Sequence, residues 1–243
     1  MRVLLTPSEK APEMRRNRTI LRVGGGSFAC ALAGLVVGAA GAASPQLPTI
    51  PNPGVNPKRL VSGSVYRAHL FPLPLRVKIP AGAWVGAQWT SQTAKAPPAF
   101  GWVEFGQPPP NEAKGLLQIM TSYTKTTPVA ATLQSLRMRG VGASYQPTRS
   151  VTVAGMHGSQ FDGQVTGAKG HNFIPFTPPN QAGNSLPKDH FSMDKGEVFR
   201  ITVLSIRGKT VVIAEENFGL PPAQFPDFLA SADALLNSLR FTP

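Results

Sequence analysis

The end of the chain has little freedom in how it folds. Phe225, Phe228, Leu229, Ala232, Leu235, Leu236 and Leu239 recur at i, i+3, i+4, i+7, i+10, i+11 and i+14. This spacing draws one unbroken apolar stripe along a helix, and such a stripe has to be buried against a second layer. Asp227 near its start and Arg240 near its end suit the helix dipole. Upstream the apolar period shortens to two. Leu75-Arg76-Val77-Lys78-Ile79 alternates apolar and charged residues, which marks a half-buried strand. Residues 99–105 and 116–123 read as two more strands. Thr127-Pro128 then opens a helix with Val129, Leu133 and Leu136 at helical spacing, and Gly140 is placed to end it. Residues 150–154 and 158–166 return to strand. The most apolar strands, 198–206 and 210–214, flank Arg207-Gly208-Lys209 as a hairpin at the centre of the sheet.

The order strands, helix, strands, helix predicts an α+β domain: an antiparallel β-sheet with helices packed on it. Pro (25) and Gly (24) together are too many for a compact helical bundle, and they add to the case for long loops and a strand-rich core. This element order, the Arg-Val-Lys-Ile-Pro run at 76–80 and the ending Ala-Leu-Leu-Asn-Ser-Leu-Arg-Phe at 234–241 resemble the Mog1/PsbP-like α/β/α fold. The resemblance spans roughly residues 70–243 and implies an exported bacterial protein of the envelope. It also implies a binding or accessory role. Members of the superfamily share no catalytic residues, so none is carried over to this chain. The lipoprotein members bear a lipobox that is missing here.

The N-terminus reads as an address. Arg15-Arg16-Asn17-Arg18 and Arg22 form a cationic region, no charged residue occurs from Val23 to Pro57, and 28–40 is the densest apolar run. Ala40-Gly41-Ala42 follows with small residues. Residues 1–43 are therefore expected to be a signal peptide, cleaved near Ala42 or Ala43. Six glycines between Gly24 and Gly41 make the segment a poor membrane span, and Ser27-Phe28-Ala29 is a poor approach to a lipidated Cys30. Arg15-Arg16 suggests a twin-arginine route, but Arg18 and Thr19 sit where apolar residues belong. Residues 44–64 read as a Pro-rich linker and 65–243 as the single folded domain. The expected location is secreted, periplasmic or cell envelope.

Charge and cysteine use narrow the function classes. Beyond residue 43 the chain carries 18 Lys and Arg against 10 acids, with Arg137 and Arg139 the nearest approach to a cluster. Dispersed positive charge suits an anionic envelope polymer, lipid headgroups or an envelope protein as partner. The basic stripe with stacking aromatics that nucleic acid requires is missing, so no nucleic-acid partner is expected. Contact with a membrane is expected only if the N-terminal segment is retained. With Cys30 the one cysteine, the mature part has no disulfide framework, thiolate metal site or cysteine nucleophile.

Two regions could carry chemistry. Residues 167–196 have little periodicity and hold His171, Asp189 and His190; with His157 these could ligate a metal ion. No His-x-x-His spacing supports that set, and a solvated loop explains it better. Trp84, Trp89 and Trp102 concentrate aromatic surface and could line a groove for a carbohydrate or apolar ligand, although rings near strands more often fill cores. Gly142-Ala143-Ser144-Tyr145-Gln146 lacks the final glycine of a nucleophile elbow. Glu215 and Glu216, adjacent on a strand, point to opposite faces and cannot form a glycosidase pair between them. Arg207-Gly208-Lys209-Thr210 lacks the upstream glycine of a phosphate loop. The expectation is an exported, non-catalytic binding or accessory protein without a cofactor. The alternative is a hydrolase or metal-dependent enzyme using the 167–196 loop.

Overall fold

Strands with one or two apolar faces assemble mainly into one large antiparallel sheet, as the sequence predicts. The computed structural model describes residues 46–52, 57–90, 100–107, 115–123, 127–139, 142–167, 171–172 and 192–242. The main sheet begins at β1 (Lys58–Leu60) and runs through β4 (Trp84–Thr90), β5 (Phe100–Gln107) and β6 (Gly115–Ser122). It continues through β13 (Lys209–Glu216), β12 (Val198–Ile206) and β9 (Met156–Val165), which pairs with both β7 (Ala143–Tyr145) and β8 (Arg149–Val153). A smaller sheet joins β2 (Val65–Ala68), β3 (Leu75–Lys78) and β14 (Arg240–Phe241). Two short strands, β10 (His171–Asn172) and β11 (Ser192–Met193), pair with each other. The helices are α1 (Val129–Arg139) and α2 (Phe225–Asn237).

Each face of the main sheet carries its own core. On one face, Phe105, Leu117, Val211, Ile213 and Leu204 pack beneath α2, whose Phe225, Phe228, Leu229, Ala232, Leu235 and Leu236 are all buried. A helix of this length is marginal alone, so its stability comes from that contact, at roughly 1.5–3 kcal/mol per large apolar side chain buried. The small sheet covers the same face through Tyr66, Ala68, Leu75 and Val77. On the opposite face, Trp102, Met120, Phe161, Ile201 and Val212 pack with Leu133 and Leu136 of α1. The result is an α+β domain layered on both sides of its sheet.

Glycine at one position sets how closely α2 approaches. A Cβ on Gly115 would fall inside the ring of Phe228, so only glycine lets the helix sit that close. The stretch 44–64, read as a linker, includes Ile50 at 0 % exposure and the paired strand β1. The buried side chain of Gln88 fastens this segment. Its Nε2 donates to the Ile50 carbonyl, its Oε1 accepts from Leu70 N at 2.9 Å, and its backbone N–H donates to the Pro51 carbonyl at 2.9 Å. A buried amide satisfied in this way costs little and fixes three chain segments together.

The two tight hairpins use mirror-image turns that match strand twist. Ala154 and Gly155 have φ of 50° and 81°, and Arg207 and Gly208 have 52° and 73°. A left-handed Ala costs roughly 1–2 kcal/mol relative to a residue at home there. Ala154→Asn should raise stability by about 0.5–1 kcal/mol, seen as a higher urea midpoint at unchanged slope. On the other side of the same hairpin, Tyr145 pairs with Gly163 and Arg149 with Gln160. Residues 146–148, Pro147 among them, thus stand opposite 161 and 162 as a bulge.

Candidate functional site

The strand register builds an aromatic ladder on the α1 face. Trp89 of β4 stands directly opposite Trp102 of β5, which stands opposite Met120 of β6. The Trp89 and Trp102 rings stack at 5.2 Å, and Trp102 stacks on Phe100 at 5.4 Å. Trp102 and Phe100 are buried, whereas Trp89 is half-buried and gives the ladder its accessible end. In the next cross-strand row on this face, Glu104 pairs with Gln118, both buried. On β13 that row reaches Ala214, and Glu216 lies one row beyond, opposite Leu116. Burial pushes its carboxyl well above the ordinary value of 4.5, and Glu197 and Glu104 add to the effect. The accessible ring of Trp89, stacked on Trp102, offers a flat apolar contact that suits ligand binding.

The α2 face carries a second polar row. Asp162 of β9 accepts from Arg200 Nε at 2.8 Å and from Arg149 Nη2 at 3.0 Å. Burial pushes the Asp162 carboxyl up, but the hydrogen bonds from Arg200 and Arg149 outweigh it and hold the group below its usual value. Alongside, Gln160 Nε2 donates to Thr202 Oγ1 at 2.7 Å. Glu215 stands opposite Arg200 on the neighbouring strand, at 0 % exposure, and neither carboxylate oxygen has a hydrogen-bond partner among the described residues. Burial is the main cause of a carboxyl pushed up to about 8; Arg200 opposes the shift, and Asp233 and Asp162 add to it.

An open groove of about 580 Å³ lies at the hairpin end of the molecule, lined by Met156, His157, Arg207, Leu239 and Phe241 among others. Arg207 is tied there by donating Nη2 to the Phe241 carbonyl at 2.9 Å and Nη1 to the Thr242 carbonyl. Arg137, half of the cluster anticipated from sequence, stacks over Tyr145 and Phe161 at 5.5 and 5.0 Å and donates to the Gln146 carbonyl. It is a packing residue.

The structure separates the three tryptophans. Trp84 is fully buried on the α2 face, 6.5 Å from Phe228, while Trp89 and Trp102 share the α1 face. Of the four residues considered for a metal, His157 is exposed on β9, with Nδ1 3.1 Å from Thr152 Oγ1. His171 lies in β10, where its backbone pairs with that of Met193. Asp189 and His190 lie outside the described residues. Among the described residues no three His, Cys, Asp or Glu side chains converge as a metal set. Glu215 and Glu216 point to opposite faces, so the two do not form a pair. The Glu104–Gln118 row and the Asp162 clamp were missed at the sequence level. Their only signal was polar residues at inward positions of apolar strands.

No protein-family model matches the chain, and no curated protein matches it by sequence. Among solved structures it is similar to PA94 of Pseudomonas aeruginosa, a protein of unknown function: 14% identity, TM-score 0.41, 75% of this chain and 99% of that one. It is also similar to the cyanobacterial PsbP of Synechocystis sp. PCC 6803, at 11% identity and TM-score 0.41, over 75% of this chain and 94% of that one. A third is LpqN, involved in cell envelope biogenesis of Mycobacterium tuberculosis, at 14% identity and TM-score 0.36, over 76% of this chain and 90% of that one.

Proposed function

We propose that this chain is an exported, non-catalytic binding or accessory protein of the cell envelope. The observation that carries the reading is where the domain spends its carboxylates. Asp162 is clamped between two arginines, and Glu215 and Glu216 are packed under the two faces of the sheet. The exposed acids among the described residues, Asp227 and Asp233, sit on the outside of α2, while Trp89 offers an accessible ring and the small sheet offers exposed arginines, which are recognition groups. The basic, apolar and small-residue order of residues 1–43 supports export. The ligand-binding part is assigned to the Trp89 end of the ladder, with Trp102 behind it as a rigid backing ring.

The test is expression of the full-length chain in a bacterial host, followed by fractionation and intact-mass measurement. The expected result is a product outside the cytosol that begins at or just after Ala42 or Ala43. Recovery of the unprocessed chain from the cytosol overturns the assignment. Retention of the exported protein on envelope extract should fall on Trp89→Ala, and the loss should persist well below the variant's melting temperature, where it stays folded.

A further inference from the structure

The outer face of the small sheet carries a concentration of positive charge that the fold itself does not use. Arg67 of β2 stands directly opposite Arg76 of β3, and Arg76 directly opposite Arg240 of β14. All three are exposed, because Tyr66, Ala68, Leu75 and Val77 point inward to the core. Lys78, two residues beyond Arg76, is exposed on the same side. Like charges placed directly across a sheet oppose one another. The internal partners are neutral: Arg67 donates to Thr49 Oγ1 at 3.2 Å, and Arg240 to the Asn237 and Leu239 carbonyls at 2.9 and 2.7 Å. The Arg76 guanidinium has no hydrogen-bond or ion-pair partner among the described residues. No acidic residue occurs anywhere between Glu13 and Glu104, so β2, β3 and the segments around them supply none.

We propose that this face docks on an anionic phospholipid bilayer. Three features select that partner. The surface is an outward sheet face, which presents its guanidinium groups to a plane, and guanidinium groups pair bidentately with phosphate. Val61, 63 % exposed, lies at the Lys78 end of β3, where Gly63 N–H donates to the Ile79 carbonyl at 2.8 Å. An apolar residue beside a cationic field is the pattern of interfacial binding. Third, the chain enters the domain here: Arg67 N–H donates to the Pro48 carbonyl, and Ile50 N–H to the Arg67 carbonyl, both at 2.9 Å. The inference rests on the envelope-protein reading and names its partner, but the two fail separately. A cytosolic chain removes that reading, while an exported chain indifferent to anionic vesicles removes only this proposal.

The experiment is co-sedimentation of the purified exported protein with vesicles of equimolar phosphatidylglycerol and phosphatidylcholine, and with phosphatidylcholine alone. Binding is expected to the first, to be weak to the second, and to fall with added salt. Each cation near an anionic surface contributes about a fivefold gain, so R67Q/R76Q/R240Q should lose about a hundredfold. The triple variant should melt no lower than the parent, since it relieves repulsion. K58Q/R59Q/K195Q removes the same charge from exposed positions elsewhere and should bind nearly as the parent does. Equal loss in both triples would show attraction by net charge alone and overturn the proposal. So would equal binding to both vesicle types, or binding to soluble polyphosphate with none to vesicles.

Discussion

Glu215→Gln is expected to stabilise the domain at alkaline pH and to remove part of its pH dependence. Between pH 4.5 and about 8 the folded chain keeps a proton on Glu215 that the unfolded chain has released. The native state therefore binds more protons, and stability falls as pH rises, by up to about 1.4 kcal/mol per pH unit across that window. The loss is absent below 4.5 and complete above about 8. The physical origin is a carboxylate forced to ionise at 0 % exposure, without a hydrogen bond to either oxygen and with only the opposite Arg200 to offset the charge. The Gln amide is nearly the same shape and never ionises. Urea unfolding should place the variant about 2–4 kcal/mol above the parent at about pH 9, and close to it at about pH 5. A residual decline should persist from Glu216, whose carboxyl is raised in the same direction. Asp162 acts with the opposite sign: its carboxyl is lowered, so its contribution is present above its ordinary 3.8 and is lost as pH falls. Parent and variant curves running parallel from acid to alkali would refute the account.

The second large effect concerns the contact between α2 and β6. Phe228→Ala should cost about 3–5 kcal/mol, because the ring is 2 % exposed and fills the space between Gly115 and Trp84. For a domain of this size that lowers the melting temperature by about 6–20 °C. Gly115→Ala should also destabilise, by about 1–3 kcal/mol, since its new methyl would meet that ring and the helix would have to lift. The informative measurement is the double variant. With the ring gone the added methyl has room, so the combined loss should be clearly less than the sum of the two, a coupling of about 1 kcal/mol or more. Additive losses would mean that Phe228 and Gly115 do not share the space the structure gives them.

Much of the architecture is legible wherever periodicity is strong. The stripe from Phe225 to Leu239 becomes α2, the Leu75-Arg76-Val77-Lys78 alternation becomes β3, and the Arg207-Gly208 turn sits at the centre of the sheet between β12 and β13. β4 escaped because Trp-Val-Gly-Ala-Gln-Trp-Thr neither alternates nor runs apolar, and its buried Gln88 looks like a surface residue until its partners are known. The tryptophans looked like one cluster because sequence proximity says nothing of parity. Trp84 and Trp89 are five apart on one strand and must face opposite ways. The arginine row was hidden for a different reason. Arg67, Arg76 and Arg240 become neighbours only through the register of strands far apart in the chain. The nearest cluster visible by eye, at Arg137, is consumed by ring packing.

The bulge at Pro147 has a bearing on whether the sheet can grow by adding strands from other chains. An open antiparallel sheet has two borders, and each is a template on which another chain could lengthen the sheet into a fibre. Here one border is β1, three residues long with Lys58 and Arg59 exposed, and the other is broken between β7 and β8 where Pro147 lacks a donor. Neither leaves a straight run for an incoming strand to zip onto. The apolar β-structure of the main sheet is thus closed off at both borders against strand addition.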